Sequence, residues 1–118
     1  MIGAGDLRHR VTVQSLTEVS DGHDGLSSSW GDTARTRLAA RVRPLAGRDL
    51  ERARQVDARA SHEVTLRFWA RYATDLAGGR SRLVFHDGAV GDRVLELIEP
   101  PREIEPRQFL ACVTREAA

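Results

Sequence analysis

Apolar and polar residues alternate one for one along several short runs of this chain, and that period of two commits most of it to β-strands. The clearest run is Ser61-His62-Glu63-Val64-Thr65-Leu66-Arg67-Phe68-Trp69. Successive strand side chains point to opposite faces, so Val64, Leu66 and Phe68 are expected inward and Glu63, Thr65 and Arg67 outward. His9 to Leu16 repeats the pattern, with Val11 and Val13 on one face. Arg37 to Arg43 (stopped by Pro44), Arg82 to Phe85, Arg93 to Glu99 (stopped by Pro100-Pro101) and Gln108 to Arg115 complete the set. His86-Asp87-Gly88 is a hairpin signal between two of them.

One stretch changes period. From Gly47 onward, Leu50, Ala53, Val56 (or Asp57) and Ala60 recur every three or four residues, which predicts a helix of about three turns. Asp49 and Glu51 fall in its first turn, favourable beside the positive helix end. Its apolar stripe is thin, so it should pack shallowly on a neighbour. Thr17 to Ser29 is rich in Asp, Gly and Ser and reads as an exposed loop, with Trp30 anchoring the returning chain to the core. The expected fold is mainly β: a small antiparallel β-barrel or sandwich of about six strands with one short helix and a long loop. Residues 1–118 read as one domain, with a tail at 1–8, the loop at 17–29 and a helical excursion at 44–61.

Composition excludes several classes. A length of 118 residues supports a single modest core. No apolar run approaches the ~20 residues that span a bilayer, so no membrane partner is expected. Met1 to Arg8 lacks the basic and apolar regions of a signal peptide, so no address out of the cytoplasm is expected. All 18 basic residues are arginine, against 17 acids, for a net charge of +1. That balance argues against a free-standing nucleic-acid binder, which needs a strongly basic face. Arginines interleaved with acids suit planar, bidentate ion pairs at surfaces and interfaces.

Motifs for chemistry are absent. Cys112 is the lone cysteine and lies in an apolar strand, so it reads as a buried, inert thiol. His9, His23, His62 and His86 have no zinc-ligand spacing. Asp21-Gly22-His23-Asp24-Gly25 lacks the alternating ligands and closing Glu of a calcium loop. Gly78-Gly79-Arg80 has no phosphate-cradle ending, and Ser27, Ser28 and Ser29 have no nucleophile-elbow context. No cofactor, metal or catalytic residue is expected, and an enzyme is not the reading.

Taken in order, the same residues resemble the phage head–tail joining, or head-closure (stopper), family. The resemblance rests on Ala4-Gly5-Asp6-Leu7-Arg8-His9-Arg10-Val11-Thr12-Val13-Gln14 and on Asp21-Gly22-His23-Asp24-Gly25 followed by Trp30. It is fullest over Ala39 to Leu50 with Ala53, Gln55 and Ala58, and continues through His62 to Phe68. It weakens after Asp75, where Val94 or Leu95 stands at the place of a common family aromatic.

The resemblance implies a small β-barrel in a sixfold or twelvefold homo-oligomeric ring at the virion neck of a tailed phage, prophage or gene transfer agent. Its implied partners are the portal or adaptor protein of the head, the tail terminator or tail-tube protein, and packaged DNA in the channel without sequence-specific binding. Interface contacts are expected from Arg8, Arg10, Arg48, Asp49, Glu51, Arg52, Arg54 and Asp57, and a channel or plug loop from Asp21, Gly22, His23, Asp24 and Gly25. The alternatives are a tail-completion or other neck protein, and a small β-barrel nucleic-acid-binding module of the OB type. The last would need exposed aromatics in a basic groove.

Overall fold

The structure is a computed structural model and describes residues 4–20, 22, 25–76, 80–105 and 107–117. In chain order the strands are β1 (His9–Ser20), β2 (Leu26–Asp32), β3 (Leu38–Pro44), β4 (His62–Arg67), β5 (Ser81–Asp87), β6 (Gly91–Leu97), β7 (Arg102–Ile104) and β8 (Phe109–Glu116). Two helices interrupt them, α1 (Gly47–Val56) and the single turn α2 (Tyr72–Asp75). Strands β1, β3, β4, β8, β6 and β5 pair antiparallel in that order, and β5 pairs back onto β1, closing a six-stranded barrel. Closure leaves few free edges, which protects a short-stranded sheet from pairing with other chains. The remaining strands are additions: β2 pairs with the distal half of β1, and β7 with the first residues of β8.

Register follows the apolar pattern. Val11 faces Phe85, Val13 faces Leu83, Val42 faces Val64, Val64 faces Cys112, Leu66 faces Leu110 and Leu83 faces Leu95. All of these are buried in one cluster that fills the barrel. A one-residue slip in any strand would turn its apolar set to the outside, so this alternation pins the register. Cys112 is fully buried there, and burial pushes its thiol up to about 12. The thiol is thereby kept in its unreactive protonated form.

The structure corrects the sequence reading at four places. Thr17–Ser29 is not a loop: β1 runs on to Ser20, and β2 returns from Leu26, so the stretch is mostly a β-hairpin. Its strands carry polar side chains on both faces and lack the alternation that reveals a half-buried strand. Trp30 is half-buried and stands outside the core clusters. Glu63 and Thr65 point out of the barrel as expected, yet both are buried, Glu63 to 8% exposure and Thr65 to 0%. Leu45, Ala53 and Ala60, with Leu50, Ile98 and Val113 against them, form a second apolar cluster on this outer side of β4 and β8. Val56, placed in the helix stripe by spacing, is 60% exposed.

The barrel ends differ. At one end Leu76, buried behind α2, and half-buried Phe68, Trp69 and Tyr72 join the core cluster. Trp69 Nε1 donates to Asp75 Oδ2 at 2.8 Å and Tyr72 donates to Glu103 at 2.7 Å, holding this plug in place. Arg35 stacks over the Trp69 ring at 4.9 Å. The other end, where β1 and β4 begin and β3 and β5 finish, is open.

Candidate functional site

The open end is a depression of about 380 Å³ with an apolar floor of Val42, Pro44 and Phe85. Its walls are Arg8, His9, Arg10, His62, His86, Asp87, Gly88 and Arg93, contributed by β1, β4, β5 and β6, the residue before β1 and the turn after β5. His9 tilts edge-on against Phe85, with ring centroids 5.1 Å apart. Its Nδ1 accepts the Val42 N–H at 3.1 Å, satisfying a donor on β3 beyond the reach of the β1 ladder. His86 bridges strands: Nε2 meets Thr12 Oγ1 at 2.7 Å, and Nδ1 meets Asp92 at 2.9 Å. Thr12 Oγ1 also accepts the Arg37 N–H at 3.0 Å, so this hydroxyl ties the 37 segment to His86.

Charge around this rim is unequally neutralised. Arg93 donates to both oxygens of Glu116 at 2.7 and 2.6 Å and to Asp87 at 3.2 Å. These bonds, led by the Glu116 pair, raise the Arg93 pKa well above the ordinary guanidinium value. Glu116 is held below the usual carboxylate range chiefly by Arg93. Asp87 is lowered first by the Ala89 backbone N–H and then by Arg93. His62 is lowered by burial and by the Arg93 charge, partly offset by Glu116. Arg8 donates through Nε to the Gly5 carbonyl at 2.9 Å. Neither Arg8 nor Arg10, both exposed, forms an ion pair among the described residues. The rim therefore presents two uncompensated guanidinium groups above an apolar floor.

The arm is the second surface. Beyond Leu16, whose N–H reaches the Arg80 carbonyl at 2.9 Å, β1 and β2 leave the barrel as an exposed two-stranded ribbon. Its base is braced: Arg82 stacks over Trp30 at 4.5 Å and donates to Gln14 at 2.8 Å, and Gln14 donates to Asp32 at 2.9 Å. Val19 and Leu26 are 57% and 72% exposed on it. Of the expected plug loop, Asp21, His23 and Asp24 lie outside the described residues, while Gly22 and Gly25 close the arm. Gly22 has φ of 81°, a conformation that suits glycine.

The α1 face is the third. Arg48, Asp49, Glu51, Arg52 and Arg54 are exposed, and none forms an ion pair among the described residues. Asp49 and Arg52 border a cavity of about 60 Å³ between α1 and the barrel, with Glu63, Glu99 and Arg102. Asp57 is already engaged, accepting from Arg59 N–H at 2.8 Å and Arg115 at 2.5 Å. These contacts lower its pKa, the Arg59 bond first, and make Asp57 the lock on the end of α1. Sequence reasoning picked Arg8 and Arg10 but not the His9, His62, His86 and Arg93 side chains beside them. No local motif signals that grouping, because it forms only when the barrel closes.

Among the described residues, no group of three or more His, Cys, Asp or Glu side chains could hold a metal ion, and no helix is long and apolar enough to cross a membrane. No curated protein sequence matches the chain at a significant level. The solution structure of protein SF1141 from Shigella flexneri 2a is similar in fold, with a TM-score of 0.71 at 24% identity over 99% of this chain and 98% of that one. Its similarity extends the same architecture end to end. The family described as phage head completion protein matches residues 2–117, which takes in the barrel, the arm, α1 and the open end alike. With nearly every residue inside that match, the chain belongs to the phage head completion protein family.

Proposed function

We propose that this chain is the subunit of a closed ring at the virion neck, where it closes the head after DNA packaging, retains the DNA and offers the tail a docking surface. The observation that carries this reading is the family match over residues 2–117, which supports a structural role in head completion at the head–tail junction. The folded features suit it. The barrel core is filled, with Leu66, Leu83, Leu95 and Leu110 each 0% exposed, so the fold's interior serves stability rather than ligand binding. Two elements stand off the barrel, the β1–β2 arm and the charged face of α1. One faces the channel and the other the adjoining subunit or ring, with Arg8 and Arg10 as further contacts. Portal or adaptor protein lies on the head side and tail terminator or tube on the tail side. Packaged DNA passes without base-specific readout, in a phage, prophage or gene transfer agent assembled in the host cytoplasm.

The direct test is to delete the gene and image the particles by electron microscopy. Emptied or leaking heads with unattached tails are expected. Filled heads joined normally to tails would overturn the reading, and a tail-side role or a binding module would replace it.

A further inference from the structure

The arm and the open barrel end lie at opposite poles of the subunit. β1 begins at the open end with His9, passes Ser81 beside the α2 plug at Ser15, and only then becomes the arm. The molecule is accordingly elongated, 52 × 31 × 30 Å. An isolated two-stranded ribbon is marginal in water and normally finds a cover. Among the described residues no further strand pairs with its outer edges, and its base is braced by the Trp30–Arg82–Gln14–Asp32 contacts, so it is held out rather than folded back.

Register shows what the arm offers. Glu18 faces Ser28 and Ser20 faces Leu26, so Glu18 and Leu26 lie on one face of the ribbon. Glu18 is exposed and forms no ion pair among the described residues, and Leu26 is 72% exposed. That face combines one free carboxylate with one uncovered apolar side chain. The opposite pole offers the complement: two guanidinium groups with no ion pair among the described residues, Arg8 and Arg10, over the apolar floor of Val42, Pro44 and Phe85. Of the acids at that end, Asp87 and Glu116 are occupied by Arg93, and Asp92 is bonded to His86.

We propose that the arm of one copy of this chain seats on the open barrel end of the next, with Glu18 against Arg8 and Arg10 and Leu26 on the Val42–Pro44–Phe85 floor. Complementary patches at opposite poles make a heterologous, head-to-tail contact, the kind that closes into a ring when the rotation per subunit permits. The inference rests on the ring reading above and names its interface. It gives the arm to subunit contact and leaves the channel to α1. Charge sets register and partner choice here, while the leucine supplies the buried contact.

Two measurements test it. Light scattering with sedimentation on the purified chain, and on particles for copy number, reads assembly. E18R and R10E should each weaken self-association roughly 10- to 100-fold, and the E18R/R10E pair should restore most of it. Separately, L26C chains mixed with G88C chains should form a heterodimeric disulfide under mild oxidation, because the native thiol, Cys112, is buried. Neither variant alone should cross-link. Multimers that form normally with E18R and R10E and give no mixed disulfide would overturn the arm contact and leave the ring intact. A chain present as a single copy, both in solution and in particles, would overturn the ring itself. Adaptor or tail protein cross-linked to G88C instead would assign the open end to that partner and also overturn the proposal.

Discussion

Replacing Thr65 by valine should make this protein more stable. Thr65 is fully buried on the outer face of β4, between Arg41 on β3 and Ala111 on β8, and its Oγ1 has no hydrogen-bond partner among the described residues. A buried hydroxyl without a partner costs about 1–3 kcal/mol. Valine keeps the branched shape, suits a strand, and exchanges the hydroxyl for a methyl whose burial contributes ~0.8 kcal/mol. A net gain of about 1–2 kcal/mol is expected, or roughly 3–6 °C in Tm for each kcal/mol in a domain of this size. Urea unfolding followed by circular dichroism measures it, with an unchanged denaturant slope showing that the folded and unfolded states are otherwise the same. T65S supplies the counter-test: it keeps the hydroxyl, loses the methyl, and should cost about 1 kcal/mol. A less stable T65V beside a near-neutral T65S would refute the reasoning, because the hydroxyl would then be making a bond that matters.

Three further outcomes follow from the charged and thiol groups. Stability should fall with acid below about pH 4. Asp57, Asp87 and Glu116 all titrate lower folded than their ordinary 3.8 to 4.5, so the unfolded chain takes up protons first as pH drops. Their contribution is complete above that range, and denaturant titrations that are flat from pH 6 to pH 3 would contradict it. R93M should lower stability by about 1 kcal/mol through loss of the Glu116 and Asp87 bonds at a partly exposed site, while E116Q should cost less. Equal effects would show that Asp87 contributes nothing. Cys112, with its thiol raised to about 12, should react with a thiol reagent about a thousandfold more slowly in the native protein than in denaturant; comparable rates would place it outside the core.

How much was legible follows from where each signal resides. The barrel strands could be read because apolar and polar residues alternate along them, and Val64-Thr65-Leu66 or Val11-Thr12-Val13 shows that period within three residues, even though Thr65 and Thr12 are themselves covered in the fold. The arm could not, because Thr17, Glu18, Ser27 and Ser28 face water on both sides and leave only the turn formers visible. β7 is too short for any period. The burial of Glu63 depends on the cover beside α1 and on Arg43, which donates to it at 2.9 Å, a relation between separate elements. The helix itself was legible, while Val56, its last apolar position, is exposed, and the helix ends beside it with Asp57 in extended backbone bonded to Arg115. Arg8 and Arg10 stood out through the family-like opening segment. Their meeting with Phe85 and Arg93 depends on β1 closing onto β5, a contact across more than half the chain.

The most direct test of the central claim is a cryo-electron microscopy reconstruction of the neck of purified particles. A closed ring of this barrel between portal complex and tail, with the DNA density ending at or above it, is the expected result. A neck whose rings contain no such barrel, or a barrel found only elsewhere in the particle, would contradict the account.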